Sequence, residues 1–293
     1  MKYLKLTGWV MVLTICLSAC SKDDGNETPT PTPTPVPESI SAPPSSYTKK
    51  VVLEYHTAAW CGTCPDSEIK RQQVMDNYPN RLIPVAIHQS DAMQIPLFLT
   101  LDATFSSNPA YGMINRMPSL GNVLLNRTQW LSNATTQMNG VAKCGLAILS
   151  KVSGNNATIE VQASFREALT GDHRLTVYLV EHEVSGTGSG YDQMNTYNTD
   201  PSSPYYNRGN PIVGYKHPYV VRKVLTANLG DAIESSKTVA GGLLKRNLTA
   251  DLTGMDKTKT YVIAFVNKVG TSSTTHEILN AQMALVGKLK NWD

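Results

Sequence analysis

The sequence lacks the features that mark nucleic-acid, nucleotide and metal-binding proteins. Its net charge is only +3 and no basic cluster stands out, which argues against a nucleic-acid partner. It has no glycine-rich phosphate loop, no nucleotide motif and no Ser-His-Asp order, and we expect no cofactor. Structural zinc needs about four ligands, and the chain has neither a second Cys-x-x-Cys nor a paired histidine motif. We therefore predict no metal site.

Cysteine is scarce, and the position of each cysteine matters more than the count. The five lie at positions 16, 20, 61, 64 and 144. The first two belong to a segment typical of a secretory signal, with a basic start and an apolar run, Leu6 to Leu17, that is short for a membrane span. Leu17-Ser18-Ala19-Cys20 resembles a bacterial lipobox, which implies cleavage before Cys20 and lipidation of Cys20. An ordinary signal peptide with an incidental cysteine is the alternative.

The residues after the lipobox favour an anchored protein on a spacer. Lipoproteins retained in the inner membrane often carry Asp after the lipidated cysteine, so Ser21 implies outer-membrane sorting. Ser21-Lys22-Asp23-Asp24 also resembles the export signal of some surface-displayed lipoproteins, with a solvated charge cluster as the alternative. The Thr-Pro repeat of residues 28–37 predicts an extended polyproline-II spacer. We assign residues 1–19 to a lipoprotein signal peptide and 20–46 to a disordered tether that leads from a membrane anchor, the lipid on Cys20.

Two cysteines, two residues apart, lie where a predicted strand over 51–56 meets a predicted helix over 66–76. Free backbone N–H groups and the helix dipole at such a junction stabilise a thiolate, which favours Cys61 as the attacking thiol and the more exposed one. Cys64, one turn away, can attack the mixed disulfide and resolve it. A structural disulfide and a degenerate fold without turnover remain as alternatives. Cys144 is the odd thiol, and we predict a buried small hydrophobic residue there.

The segment Trp60-Cys61-Gly62-Thr63-Cys64 resembles the signature of the thioredoxin superfamily. The resemblance implies an α/β thioredoxin-like domain over residues 47–143, with catalysis by Cys61 and Cys64 and a disulfide between them in an oxidising compartment. Met117-Pro118 resembles the family's cis-proline loop, with an ordinary trans turn as the alternative. By family precedent this loop lies beside the dithiol and, with Trp60, binds a client peptide as an added strand. Tyr55 stands where thioredoxins usually bury an acid, so we expect slow release of clients by Cys64.

Hydrophobic periodicity outlines the remaining elements. Between the cysteine pair and Cys144, it predicts strands over 82–87 and 122–127 and helices over 96–105 and 128–139, although Pro84 weakens the first of these strands. From Cys144 onward, strands without intervening helices predict an all-β antiparallel, immunoglobulin-like sandwich over 144–293. The predicted strands of the sandwich are 158–165, 174–180, 220–225, 244–252, 261–266 and 278–285.

One long interruption separates the strands of this second half. Residues 185–217 are rich in Gly, Tyr, Asn and Pro and predict a long loop, a kind of segment that is often functional. His182 and His217 flank or end this loop, and we interpret both as solvated or hydrogen-bonded histidines rather than metal ligands.

The whole layout resembles one family of Gram-negative lipoproteins, the outer-membrane-protein-twenty-eight family. The resemblance rests on the lipobox, the Pro-rich tether, the Trp-Cys-x-x-Cys-Pro segment, the β-rich second half and the motif Tyr215–Lys223. It implies the architecture more firmly than an activity, since the roles suggested for the family are adhesin-like or receptor-like. Two functions stay open: a thiol–disulfide oxidoreductase acting on extracytoplasmic protein thiols, and a non-catalytic surface protein that binds a protein or a glycan.

Overall fold

The apolar segment before the cysteines forms the centre of the larger of two sheets. In the computed structural model, which describes residues 39–293, strand β1 spans Val51–Thr57 and all of its residues are buried. Helix α1 follows over Cys64–Asn77 and strand β2 over Leu82–His88, parallel to β1. Parallel neighbours need a crossover connection, which α1 supplies.

Pro84 lies inside β2 without breaking it. Alternate residues of a strand direct their N–H groups to the same side, and the N–H of Ala86 donates to Tyr219 O at 2.8 Å. Pro84 therefore has its nitrogen on that side, where the neighbouring strand begins only at Val220, opposite Ala86. The proline removes no ladder hydrogen bond, and the strand predicted from the sequence is confirmed.

The next elements surround β1. Helix α2 packs on one face of β1, and α1 and α3 pack on the other. Strand β3 is antiparallel to β1 and pairs in turn with β4. Both helices predicted here are confirmed, whereas the strand predicted over 122–127 shortens to two residues. The bounds are α2 Leu97–Phe105, β3 Tyr111–Ile114, β4 Leu125–Asn126 and α3 Trp130–Met138, the last preceded by a 3₁₀ turn over Arg127–Gln129.

The second half of the described chain is built of strands. Four of them form a smaller sheet in the order β10-β6-β5-β13, and the others extend the larger sheet to the order β12-β11-β7-β8-β2-β1-β3-β4, with β9 paired to β7. The bounds are β5 Cys144–Ser153, β6 Asn156–Phe165, β7 His173–Glu181, β8 Val220–Val224, β9 Asp231–Ala232, β10 Leu243–Asp251, β11 Thr260–Lys268, β12 Ile278–Leu285 and β13 Leu289–Lys290, with a 3₁₀ turn over Ser273–Thr275.

An apolar core lies between the smaller sheet and strands β7, β11 and β12. The four β6 residues predicted to share one face, Ile159, Val161, Ala163 and Phe165, all lie in it. Cys144 also belongs to this core, and within the described residues it forms no disulfide. Burial raises the pKa of its thiol to about 12, so the predicted role as a small buried hydrophobic residue is confirmed.

The fold is mixed α/β and β-rich, and residues 39–293 form one compact unit. Strands on both sides of residue 144 share the larger sheet, because β8 pairs with β2. The division into domains 47–143 and 144–293 stays a prediction. Arg116 crosses the same boundary: it forms a buried ion pair with Glu54 at 2.6 Å and a hydrogen bond to Tyr178 on β7.

The N-terminal predictions fall largely outside the described residues. The signal peptide, Cys20 and the Thr-Pro repeat all lie there. Residues 39–46 of the predicted tether adopt neither helix nor strand, but Ser41 is held by hydrogen bonds to Asn291 and Trp292. Packing against the body therefore begins before residue 47. Within residues 39–293, no helix has both the length and the apolar content needed to cross a membrane.

Candidate active site

Cys61 and Cys64 form a disulfide at the junction of β1 and α1, with their Cα atoms 5.4 Å apart. A turn links strand to helix, because the N–H of Cys61 donates to Ala58 O and that of Cys64 donates to Cys61 O. Pro65 fits the first turn of α1, where a backbone N–H has no partner to lose within the helix. The pair thus lies at the positive end of a helix dipole, an arrangement that stabilises a thiolate.

Both sulfurs are shielded from solvent. Cys61 is 6% exposed and Cys64 is 2% exposed, and Ala58 and Ala110 pack against them. Cys61 is the more exposed of the two, as predicted, but both cysteines are buried. Trp60, also part of the motif, is 46% exposed, and its indole N–H donates to Gln89 O.

The long loop between β7 and β8 contacts the cysteine turn. We call its residues Gln193–Thr196 the strap. The N–H of Met194 donates to Ala59 O at 2.7 Å, and the N–H and hydroxyl of Thr196 both donate to Gly62 O at 2.9 Å. The buried side-chain amide of Gln193 donates to Cys61 O at 2.8 Å. The strap therefore binds the backbone of the cysteine turn from Ala59 to Gly62.

The strap is itself held by the rest of the loop. Asn195 is 1% exposed, and its side-chain amide donates to the carbonyls of Tyr205 and Gly209. Gln193 pairs through its backbone with Ile212 in both directions. At the base of the loop, His217 Nε2 donates to Tyr191 O at 2.7 Å, and burial lowers the pKa of His217 to about 4.

A buried polar group lies beneath α1, one turn after Cys64. Arg71 donates to Glu68 at 2.8 Å, and the Tyr55 hydroxyl donates to Glu68 at 3.4 Å and to Pro218 O at 3.2 Å. Burial raises the pKa of Glu68 against the opposing effect of Arg71. Tyr55 thus contacts a buried carboxylate of α1, whereas Glu54 lies on the opposite face of β1, as strand alternation predicts.

Asp91 fixes the other side of the cysteine turn. It accepts hydrogen bonds from the N–H of Ala59 at 2.8 Å and from His88 at 2.7 Å. Although burial raises the pKa of Asp91, the hydrogen bonds from His88, Ala59 and Met93 outweigh it and lower the pKa. These bonds hold the turn rigidly in place before the first cysteine.

The prediction of a cis bond at Met117–Pro118 beside the dithiol is wrong. Within residues 39–293, the cis peptide bond is Asn210–Pro211 alone. Strand β3 runs antiparallel to β1 with Ile114 opposite Leu53, so the chain after Ile114 emerges at the start of β1, away from Cys61. Met117 and Pro118 therefore lie at the far end of the sheet from the cysteines.

A different proline enters β3 at the cysteine end. Ala110, which follows Pro109, donates its N–H to His56 O at 2.9 Å and packs against both cysteines. Sequence reasoning missed this loop because β3 has only four residues, one of them Gly112, a weak strand former. It also missed Glu68, although the spacing Cys64 to Glu68 places both on one face of a helix.

Of the comparisons with known proteins, the family model identifies the family and one solved structure shows a shared fold. The family model described as outer membrane protein Omp28 matches residues 102–290. The structure of HBP35 of Porphyromonas gingivalis is similar at 23% identity and a TM-score of 0.64, covering 83% of this chain and 77% of that one, which shows a shared fold. A structure from Agrobacterium tumefaciens is 11% identical with a TM-score of 0.47, covering 82% of this chain and 96% of that one. A search of curated proteins found no match. Because the family match spans more than half of the sequence, this chain belongs to the outer membrane protein Omp28 family.

Proposed function

We propose that Cys61 and Cys64 exchange disulfides with extracytoplasmic proteins. In the reduced form, the Cys61 thiolate attacks a client disulfide, forms a mixed disulfide and releases one client thiolate. Cys64 then attacks Cys61 Sγ, releases the second client thiolate and restores the Cys61–Cys64 bond. The client gains two electrons and two protons, and the cysteine pair loses them. The reverse sequence oxidises a client dithiol. Turnover in either direction uses a second protein dithiol or disulfide as co-reactant.

The observation that carries this proposal is the cysteine pair at the N-terminus of α1. A helix N-terminus stabilises the thiolate that both attacks and leaves in exchange. The order β2-β1-β3, with a parallel and an antiparallel neighbour of β1, supports a thioredoxin-like module around the pair. In the same proposal, the strands after Cys144 form an immunoglobulin-like sandwich that positions clients.

A trapping experiment tests the exchange and the role of each cysteine. Cys64→Ser removes the resolving thiol, so clients should accumulate as mixed disulfides on Cys61 after acid quenching and non-reducing electrophoresis. Cys61→Ser should trap few clients. The control is Cys144→Ser, a change at the buried thiol, which should trap none. Equal trapping by the Cys61→Ser and Cys64→Ser variants would contradict the assignment.

The shielding of both sulfurs favours a second candidate, a non-catalytic surface protein that binds a protein or glycan. Cys61 is 6% exposed, and a purely structural disulfide needs no access to its sulfur atoms. Insulin reduction by the wild type and by Cys61→Ser separates the two functions. Equal background rates favour the binding protein, and a rate that depends on Cys61 favours the exchanger.

We propose that the protein is anchored to the outer membrane by lipid on Cys20 and faces the cell surface. Family membership supports the outer membrane, and the lipobox and Ser21 support the anchor. Processing should be sensitive to globomycin, and detergent-phase partitioning should require Cys20. Unchanged membrane association of a Cys20→Ala variant would refute the anchor, and protease shaving of intact cells tests the surface location.

A further inference from the structure

We propose that the strap occupies the site of an extended, cysteine-bearing client segment, and that a client reaches Cys61 by displacing it. This inference rests on the proposed exchange function. It assigns to the turn Ala59–Gly62 a peptide-binding role and to the long loop an autoinhibitory one.

The backbone of the strap binds the cysteine turn. Met194 and Thr196, two residues apart, donate their N–H groups to the carbonyls of Ala59 and Gly62, which lie three residues apart on that turn. An extended chain directs alternate N–H groups to one side and can offer the same pair of donors. The acceptors are backbone carbonyls, so an incoming segment of almost any sequence can satisfy them once the strap has left.

The strap also fills the space in front of the motif. A Cβ atom on Gly62 would lie 2.5 Å from Thr196 Cγ2, so the strap and the turn are in contact with no room for another chain. Gln193 is 2% exposed and its amide lies between the loop and the turn, whereas the amide of Asn195, 1% exposed, binds carbonyls of the loop itself. Cys61 is 6% exposed with the strap in place, and in this proposal a protein thiol reaches it once the strap has moved.

The contacts that hold the strap are exchangeable. Gln193 donates to the carbonyls of Ala58, Ala59 and Cys61, and Thr196 donates twice to Gly62. Water or a client N–H can replace the strap as the donor to each carbonyl. The net contribution of each bond to holding the strap in place is therefore small. Met194, the apolar residue of the strap, is 38% exposed rather than inserted into a core. Release of the strap therefore exposes little apolar surface.

A variant at Gly62 tests whether the strap gates the disulfide. In the full-length chain, Gly62→Ala places a methyl group against Thr196 and should expel the strap. The rate of reduction of Cys61–Cys64 by dithiothreitol, followed by alkylation and peptide mass, should rise at least about tenfold, the effect of losing two or more hydrogen bonds. Hydrogen exchange of the Met194 and Thr196 amides should lose its protection in parallel.

A second substitution separates the strap from the altered motif. Thr196→Ser removes the clashing Cγ2 and keeps the hydroxyl that donates to Gly62. The double variant Gly62→Ala/Thr196→Ser should therefore return both measurements to within about twofold of the wild type. Val213→Ala, an exposed change elsewhere in the loop, is the control and should alter neither. If Gly62→Ala leaves amide protection intact, or if the double variant reduces as fast as Gly62→Ala, the gating role is refuted.

A peptide probe tests what the site binds. The probe has the sequence of residues 191–198 with the change Thr196→Cys, at the side chain that contacts Gly62, and glutathione at the same thiol concentration is its comparison. The rate of mixed-disulfide formation should saturate with the probe and rise linearly with glutathione. A linear rate with both refutes the peptide site. A strap that opens without any client being trapped by Cys64→Ser would refute the exchange function and leave the gate standing.

Discussion

Between the smaller sheet and strands β7, β11 and β12 the packing is almost entirely apolar, whereas the long loop meets the cysteine turn through hydrogen bonds, and α1 carries its own buried ion pair, Glu68–Arg71. The first region buries residues such as Ile159, Phe165 and Val262. The second buries Glu68, Arg71 and Gln193, each with polar partners.

The two kinds of contact affect the free energy of unfolding and access to the site differently. Apolar burial contributes about 25 cal/mol per Å², a gain that is lost when the surfaces separate. A hydrogen bond contributes about 1 kcal/mol net, because water or another chain can replace the partner. We infer that the apolar sandwich sets global stability and that the polar loop sets access to the disulfide.

The buried ion pair Glu54–Arg116, which reaches β7 through Tyr178, should give the largest effect. Arg116→Met leaves Glu54 charged, buried and unpaired, and should lower the free energy of unfolding by about 3–5 kcal/mol in urea denaturation. The double variant Glu54→Leu/Arg116→Met removes both charges and should recover most of that loss. A double variant as unstable as the single one would show that the strain lies in the backbone rather than in the lone charge.

Truncating a side chain in the apolar core between the two sheets should lower the free energy of unfolding without changing access to the Cys61–Cys64 disulfide. Ile159→Ala removes a side chain that is 2% exposed and should lower the free energy of unfolding by about 3 kcal/mol. The reduction rate of Cys61–Cys64 under native conditions should stay at the wild-type value. Leu120→Ala, at a side chain 95% exposed, is the control and should stay within about 0.5 kcal/mol. Faster reduction of the disulfide in the Ile159→Ala variant would contradict the inference that the apolar core does not control access to the disulfide.

The same contrast explains how far the sequence predicted the molecule. The alternation of β6 has one apolar and one polar face, so its inward residues were predicted correctly. Strand β5 was not predicted, because its first seven residues, Cys144 to Ser150, are all buried and show no alternation. The cysteine turn was found from its motif, since its chemistry depends on a local strand-to-helix junction.

The strap and the position of the proline loop lay beyond such reasoning. Gln193 and Thr196 bind backbone carbonyls about 130 residues earlier in the chain, and neither a period nor a motif marks such contacts. The apolar segment after Pro118 favours this residue as the proline that precedes a strand beside the cysteines. The strand beside β1 is instead the short segment after Pro109, and only the register with β1 reveals that.

Acid should weaken the region around β1 through a buried histidine. His56 is fully buried edge-on to Phe98, its pKa is lowered to about 4 by burial, and neither ring nitrogen has a partner within the described residues. Because the unfolded chain binds this proton at higher pH than the folded one, stability is full above about pH 6.5 and falls as pH drops toward 4. The loss should be about 2 kcal/mol by pH 4.5.

The variant His56→Phe isolates this contribution. It removes the titrating group without removing a hydrogen bond, so the slope of unfolding free energy against pH between 4 and 6.5 should decrease by up to one proton. His217, with its pKa also lowered to about 4, should account for part of the slope that remains. An unchanged slope in the variant would assign the acid sensitivity elsewhere.

The smallest effect on stability should come from the strap. Gln193→Ala should lower the free energy of unfolding by only about 1 kcal/mol. It should nevertheless speed reduction of the disulfide several-fold, because the loss falls on local opening rather than on global unfolding. Gln73→Ala, an exposed substitution on α1, is the matched control. A stability loss as large as that of Ile159→Ala would make the strap part of the core rather than a gate.

A redox titration of Cys61 and Cys64 tests the central claim most directly. The titration uses dithiothreitol and glutathione buffers on the Cys144→Ser chain and scores both cysteines by alkylation and peptide mass. We predict a reversible two-electron transition between about −270 and −120 mV, the interval of exchange proteins. A pair that stays oxidised below about −300 mV would be a structural disulfide, and the exchange function would be wrong.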